Sequence, residues 1–197
     1  MTEQTKHLDI GCGDNPRNPF SMDYLYGVDI QDLDQKKLSF EYKKDNVVLN
    51  KLPFPDSFFD SVSCFDFLEH VPRVLIEKNK SKFPFIELMN EIHRVLKNGG
   101  IFYGITPGYP KEEAFIDPTH VNFITFNTHK YFVAPKYKAR MYGYTGSFQL
   151  CTKVRWVKLS QELERNYFLK LLKGFFYFFL PRKRSHILWK FKAIKNL

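Results

Sequence analysis

The stretch His7-Leu8-Asp9-Ile10-Gly11-Cys12-Gly13 constrains the fold of this chain more than any other. It reads as a short buried strand that runs into an acidic, glycine-rich turn. Sixteen residues after Gly13 a second apolar run ends in acid, at Gly27-Val28-Asp29. A tight glycine turn after one strand and a carboxylate ending the next is how an open α/β sheet holds a nucleoside. Glycine lets the backbone approach a ligand closely, and the later carboxylate takes two ribose hydroxyls.

Three further blocks follow in order. They are Leu52-Pro53-Phe54-Pro55-Asp56-Ser57-Phe58-Phe59-Asp60, then Val62-Ser63-Cys64-Phe65-Asp66-Phe67-Leu68-Glu69-His70, then Glu87 through Gly100 with its Glu-Ile-His-Arg-Val-Leu-Lys-Asn-Gly-Gly ending. The ordered set, over about residues 6–107, resembles the class I S-adenosylmethionine (SAM)-dependent methyltransferases. The resemblance is to the broad small-molecule group that carries an LPF-x-D-x-x-FD block and an LEH block. It implies an α/β fold with a doubly wound, mainly parallel, Rossmann-like sheet and an antiparallel edge pair at the C-terminus. It also implies SAM as cofactor.

Strands alternate with helical or turn segments at the spacing such a sheet requires. Strands are expected near 6–10, 25–29, 46–49, 60–65 and 101–106, then over 148–158 and 187–194. Asp14-Asn15-Pro16-Arg17-Asn18-Pro19 is too rich in breakers for a long helix, so the first crossover should be short. Residues 66–98 should be helical around an exposed loop at 78–82, with Gly99-Gly100 stopping the second helix. Residues 163–180 should form a further helix ended by Pro181. One domain is expected over 1–197: a cofactor half at 1–107, a substrate-facing insertion at 108–146, and edge strands with a basic, hydrophobic helix at 147–197. Relatives usually carry a segment before the first strand that covers the cleft, and an open cleft is the expectation here.

The resemblance assigns the site by position. Asp9, Gly11, Cys12 and Gly13 should cradle the methionine part of SAM. Asp29 should take the ribose, and Ile30 should pack on adenine. Relatives often place an acid four residues before the LPF leucine, and Val48 stands there. The hydrogen bond to adenine must therefore come from backbone near Leu49, come from Asn50, or be absent. The backbone near Cys64 or Phe65 should take the SAM ammonium group. A hydroxyl acceptor needs a proton acceptor in reach. His120, in Asp117-Pro118-Thr119-His120-Val121, lies shortly after strand five and fits that role. His70 is the second catalytic candidate, with Glu69-His70 also readable as an orienting pair. Asp117 and Tyr109 are candidate substrate contacts, with Tyr142 and Tyr144 as further aromatic platforms. No cluster of acids follows strand four, so no catalytic metal is expected.

Composition narrows the rest. The three cysteines, Cys12, Cys64 and Cys151, form no C-x-x-C pair, which argues against disulfides and structural zinc and for a reducing cytoplasm. The N-terminal residues lack an apolar run of the secretory kind, and no apolar run is long enough to span a bilayer. The net charge of +9 is uneven, because residues 1–152 carry −1 and residues 153–197 carry +10. Leu163, Tyr167, Leu171 and Phe175 recur near helical spacing, and Arg182-Lys183-Arg184 follows. This pattern over 163–184 fits a peripheral contact with an anionic membrane at its inner face, or a helix packed on its own sheet. An electrostatic footprint for nucleic acid is a third reading. The expected function is O-methylation of a sugar, glycan or other small polar metabolite. An RNA methyltransferase and an inactive SAM-fold partner protein are the alternatives. The Pro-Pro-Tyr block of exocyclic-amine methylation and the Pro-Cys block of pyrimidine C5 methylation are both absent from the positions that would hold them.

Overall fold

A computed structural model describes residues 4–164, 167–179 and 183–195. Its centre is an eight-stranded sheet with the order β3-β2-β1-β4-β7-β10-β8, and β9 also pairs with β10. The strands are β1 (Lys6–Ile10), β2 (Tyr24–Asp29), β3 (Glu41–Lys44), β4 (Phe59–Phe65), β7 (Leu96–Pro107), β8 (Phe148–Leu150), β9 (Arg155–Val157) and β10 (His186–Ala193). β3, β2, β1, β4 and β7 run parallel, whereas β10 runs antiparallel to β7, β8 and β9. The chain moves outward from β1 to β3 and then returns to the other side of β1 at β4. That reversal makes the topology doubly wound and opens a crevice at the carboxyl ends of β1 and β4.

Alternation along the strands sorts the two faces. Leu8, Ile10, Val62, Cys64, Phe102, Trp189 and Phe191 point to one side and form the main core. The helix α1 (Pro84–Val95) covers that side with Phe85, Leu88, Met89, Ile92 and Val95, a helical-period apolar stripe that begins on a proline suited to the first turn. On the other side Phe65, Tyr103, Ile105, Val157 and Leu188 form a smaller cluster, closed by Phe20 and Leu159. His7, Asp9, Ser61 and Ser63 are buried as well and alternate with the main-core residues along β1 and β4.

Several expected elements shift, each for a local reason. The third strand lies at 41–44, not 46–49. Asn46 folds 46–50 into a turn: its Oδ1 accepts from the Val48 amide at 3.2 Å, and its carbonyl accepts from the amides of Leu49 and Asn50. Residues 78–82 are not a loop but the turn and second strand of a hairpin, β5 (Leu75–Glu77) with β6 (Lys80–Lys82). Lys78 and Asn79 both adopt positive φ there, as a two-residue hairpin turn requires. Helix α1 stops at Val95, before the two glycines, and β7 begins at once. Register between β4 and β7 slips across 97–100, so the glycines, with Gly99 at φ +78°, form a bulge rather than a helix cap. The single strand expected over 148–158 is two, β8 and β9, which pair with opposite ends of β10.

The C-terminal helical region is split into α2 (Leu159–Glu162) and α3 (Tyr167–Phe179). Lys170 and Lys173 turn toward the preceding residues and pair with Glu162 and Glu164. Gly174 backs onto Gln161 so closely that a Cβ there would lie 2.8 Å from its Nε2. The apolar side therefore faces outward: Phe168, Leu171, Leu172 and Phe176 are each at least half exposed. The expected stripe is open to solvent at Leu163, Leu171 and Phe175, while the side chain of Tyr167 and all of Arg182 lie outside the described residues. No helix among the described residues is long and apolar enough to cross a membrane.

Candidate active site

The turn after β1 forms a glycine cradle. Gly11 sits at φ +69°, and its amide donates to the Val28 carbonyl at 2.9 Å. A Cβ on Gly11 would lie 2.5 Å from the Phe67 ring. That contact brings the segment after β4 down onto the cradle. Gly13, at φ +53°, has nothing within 4 Å of where a Cβ would stand, so its α-carbon faces open space. Its amide donates to Asp29 Oδ2 at 2.9 Å, and the Gln31 amide donates to Asp29 Oδ1 at 3.0 Å. The Tyr42 hydroxyl donates to the carbonyls of Asp29 and Gln31 and holds that strand end from below. Cys12 is buried beneath Gly27, where any side chain would strike its sulfur. Burial, aided by Asp9 and Asp29, pushes its thiol up to about 12, so it fills space and is no nucleophile.

Of the residues expected around adenine, Ile30 and Leu49 are 63 % and 66 % exposed, and Leu49 and Asn50 line a small cavity with Glu87 and Glu91. Asn50 is exposed, and its Nδ2 donates to Asp45 Oδ1 at 2.8 Å. Val48 is half-buried against the core. Cys64 and Phe65 are buried at the end of β4, so contact with a ligand there passes through backbone.

Asp9 does not reach the cleft. It is fully buried, its Oδ2 accepts from the Arg17 amide at 2.8 Å, and its Oδ1 accepts from Ser63 at 2.5 Å. Its carboxylate therefore shapes the turn over 11–17 from beneath. The network continues through His7, whose Nε2 meets Ser63 Oγ at 2.9 Å and whose Nδ1 meets Ser61 Oγ at 2.7 Å. Hydrogen-bond directions follow in order. Ser63 donates to Asp9, so His7 Nε2–H donates to Ser63, and Ser61 donates to the bare Nδ1. Burial drives the His7 pKa down to about 3 and the Asp9 pKa up to about 6.

On the carboxyl-end side, the loops after β4 and β7 bring Glu69, His70 and His120 together, with one donor atom from each within 4.8 Å of the others. Glu69 is 1 % exposed. Its Oε2 accepts from Thr106 at 2.9 Å, while Oε1 is buried without a hydrogen-bond partner and lies 3.9 Å from His120 Nε2. Burial lifts its pKa to about 8. The two imidazoles meet edge to face at 4.8 Å. His120 Nδ1 donates to the Ala114 carbonyl at 3.3 Å. Thr119 Oγ1 donates to Asp117 Oδ1 at 2.6 Å, so His70 Nδ1–H is the donor to Thr119 Oγ1 at 2.9 Å. The Asp117 carboxyl is held below its usual range by the Thr119 hydroxyl and amide. The loop that carries His120 is pinned by the amides of Val121 and Asn122, which donate to the Glu69 carbonyl, and by Asn122 Nδ2, which donates to the Leu68 carbonyl.

The expected pair of histidines is thus assembled. Glu69, offered by the sequence as an orienting partner of His70, stands beside them, and Thr119 meets His70. The signal for Glu69 stood in the LEH block, but nothing local marked its carboxylate as buried. Tyr109 is exposed and stands edge-on to Phe115, Tyr142 packs on Phe83, and Tyr144 is buried and donates to the Phe132 carbonyl, so Tyr144 is core and not platform. A separate cleft of about 700 Å³ opens between Lys111, Phe126, Trp156, Gln161, Gly174 and Arg184.

An open doubly wound sheet with a glycine cradle at its switch point and a strand-end carboxylate is the arrangement in which open α/β folds bind nucleotide-type ligands. Residues 8–104 match the family model described as a methyltransferase domain. Over those residues the chain is similar to a methyltransferase domain, and its fold is that of solved SAM-dependent methyltransferases. A SAM-dependent methyltransferase of Archaeoglobus fulgidus superposes at a TM-score of 0.53 with 16 % identity, covering 96 % of this chain and 86 % of that one. The phosphoethanolamine N-methyltransferase 1 of Haemonchus contortus, in complex with phosphoethanolamine and S-adenosylhomocysteine, gives 0.59 at 10 % identity over 98 % and 40 % of the two chains. A methyltransferase-like protein in complex with the Trm112 activator of Haloferax volcanii gives 0.57 at 13 % identity over 100 % and 85 %. An uncharacterized protein of Methanocaldococcus jannaschii is 34 % identical over 95 residues, which is 47 % of this chain and 36 % of that protein. The match therefore spans about a third of that curated relative's length.

Proposed function

We propose that this protein transfers the methyl group of SAM to a hydroxyl of a sugar, glycan or other small polar acceptor. The observation that carries the reading is the cluster of Glu69, His70 and His120 at the carboxyl end of the sheet, over the same Phe67 segment that packs on the cradle. The bound cofactor supplies an electrophilic methyl carbon on a sulfonium. The chain's own part is to align and to activate. Asp29 and the Gly13 amide hold the ribose side, Ile30 and Leu49 flank the base, and the histidine–glutamate cluster promotes loss of the proton from the acceptor hydroxyl. Asp117, bonded to Thr119 beside His70, and the exposed Tyr109 are assigned to the acceptor.

Titration calorimetry with SAM and S-adenosylhomocysteine tests the cofactor half. Wild type should bind both, and Asp29→Ala should bind at least about tenfold more weakly, the loss of a charge-assisted hydrogen-bond pair. Equal affinities would remove Asp29 from the site. Release of S-adenosylhomocysteine in the presence of hydroxylated acceptors, with the methylated atom located by mass spectrometry, tests the acceptor half. A product methylated only at nitrogen would refute it.

The outward apolar face of α3 supports an acceptor carried at a membrane. Phe168, Leu171, Leu172 and Phe176 are exposed on α3, the Lys183 ammonium lies 5.9 Å from the Phe176 ring, and residues 153–197 carry a net +10. An exposed apolar face with a cation at its edge matches an anionic bilayer surface. Phosphate-binding capacity for nucleic acid is reduced by contrast, since Arg155, Lys170 and Lys173 are engaged by Glu162 and Glu164. The protein should co-sediment with phosphatidylglycerol vesicles more than with phosphatidylcholine vesicles. Phe168→Asp with Leu172→Asp should cut the bound fraction several-fold, and unchanged binding would exclude α3 as the contact.

A further inference from the structure

The cluster at the acceptor position has a property, shared by all three of its members, that ordinary acid–base catalysis does not require. Each of its members has one heteroatom engaged by a fixed partner and one left bare. Glu69 gives Oε2 to Thr106, and its buried Oε1 has no hydrogen bond. His120 spends its Nδ1 proton on the Ala114 carbonyl, which leaves Nε2 with a lone pair, 3.9 Å from Glu69 Oε1. His70 spends its Nδ1 proton on Thr119, itself anchored to Asp117, which leaves the lone pair of the neutral ring on Nε2. One ligand atom from each of the three residues lies within 4.8 Å of the others, and the bare Glu69 Oε1 and His120 Nε2 are 3.9 Å apart. Lone pairs repel unless something electron-poor sits between them.

We propose that Glu69, His70 and His120 hold a divalent cation of the zinc or manganese type, and that this cation binds the acceptor hydroxyl. The inference rests on the O-methylation reading above and names how that same site activates its substrate. Two neutral imidazoles and one carboxylate are the donor set of catalytic zinc sites, which keep a further position open for water or substrate. Ligating histidines characteristically give their other N–H to a carbonyl or to a carboxylate-backed group, as His120 and His70 do. Donors held about 2.0–2.2 Å from a zinc ion lie roughly 3–4 Å apart, so the 3.9 Å pair is already near that spacing. The donors come from two loops more than forty residues apart in sequence, which is why the absence of an acid cluster after β4 is no guide. At the open position the acceptor oxygen bonds to the cation and its proton passes to solvent. The resulting alkoxide is the nucleophile, and no oxidant or reductant enters.

The test uses the full chain, stripped with a chelator and desalted. Titration with zinc chloride should show about one ion bound per chain, with magnesium weaker because it prefers oxygen donors. Cobalt(II) in place of zinc should give visible absorption bands that report histidine ligation. His120→Ala and Glu69→Gln should each weaken zinc binding at least about tenfold. His70→Ala serves beside them should Glu69→Gln fail to fold, as read by circular dichroism. SAM affinity should be the same with and without chelator. Zinc binding that the three variants leave unchanged, or no binding at all, overturns the site. Undiminished hydroxyl methylation by the stripped protein overturns the cation while leaving the methylation reading intact. Zinc lost in the variants, with no hydroxyl methylated by the loaded protein, upholds the site and counts against that reading alone.

Discussion

Gly11→Ala should destabilise the protein by about 2–6 kcal/mol, seen as a lower urea midpoint with an unchanged slope. Two costs add. An alanine at φ +69° sits in a conformation that L side chains seldom adopt. Its methyl would also lie 2.5 Å from the Phe67 ring, in a packed region with no room for the ring to retreat without moving the segment that leads to Glu69. Gly13→Ala makes the contrast. There the backbone strain is similar, at φ +53°, but the methyl meets nothing in the protein. Its stability loss should be confined to the strain, about 1–3 kcal/mol, while SAM affinity falls because the methyl projects into the open face of the cradle. A Gly13→Ala protein that is folded and binds SAM like wild type would show that the cradle does not face the cofactor.

Replacing His7 should change the acid response of the whole protein. The His7 pKa is depressed from 6.5 to about 3 by burial, so its contribution to stability is complete above pH 6.5 and is lost as pH falls toward 3. Asp9 works in the opposite sense. Its pKa is raised from 3.8 to about 6, so stability is lost as pH rises through that window. Between about pH 4 and pH 6 the two slopes, each near 1.4 kcal/mol per pH unit, oppose one another. Wild type should therefore be nearly flat in that range as far as this pair is concerned and should fall below it. His7→Gln removes the first slope and uncovers the second, so the variant should lose about 2–3 kcal/mol between pH 4 and pH 6. Urea midpoints at pH 4, 5, 6 and 7 measure both. Parallel profiles for the two proteins would mean that His7 takes up its proton without unfolding. At pH 7 His7→Ala should cost a further 2–5 kcal/mol or so, because Ser61 and Ser63 lose their partner beside the buried Asp9 carboxylate.

The network also explains a feature of the sequence that alternation alone leaves odd. A histidine, an aspartate and two serines occupy inward positions on β1 and β4, where apolar residues would serve a core. Their bonds run from β4 through His7 to Asp9 and on to the Arg17 amide. The turn over 11–17, which carries no helix, is thus tied to the sheet by side chains rather than by a packed crossover.

What the sequence alone determined is the part governed by local rules. β1, β2, β4 and β10, the glycine turn, Asp29 at its strand end and the short first crossover depend on period-two alternation, positive φ and breaker content, all of which act within a few residues. The same rules misplaced β3. Its residues Glu41–Lys44 bury only Tyr42, whereas the apolar Val47-Val48-Leu49 that looked like a strand is bent by the Asn46 side chain. Tertiary structure alone decided the rest. It turned Asp9 inward, through partners at Ser63 and Arg17. It turned the apolar side of α3 outward, because Glu162 and Glu164 draw Lys170 and Lys173 toward the protein. It also joined Glu69 and His70 to a histidine fifty residues away. A side chain's environment is set by what the fold brings beside it, and long-range pairing of donors leaves no periodic trace in the chain.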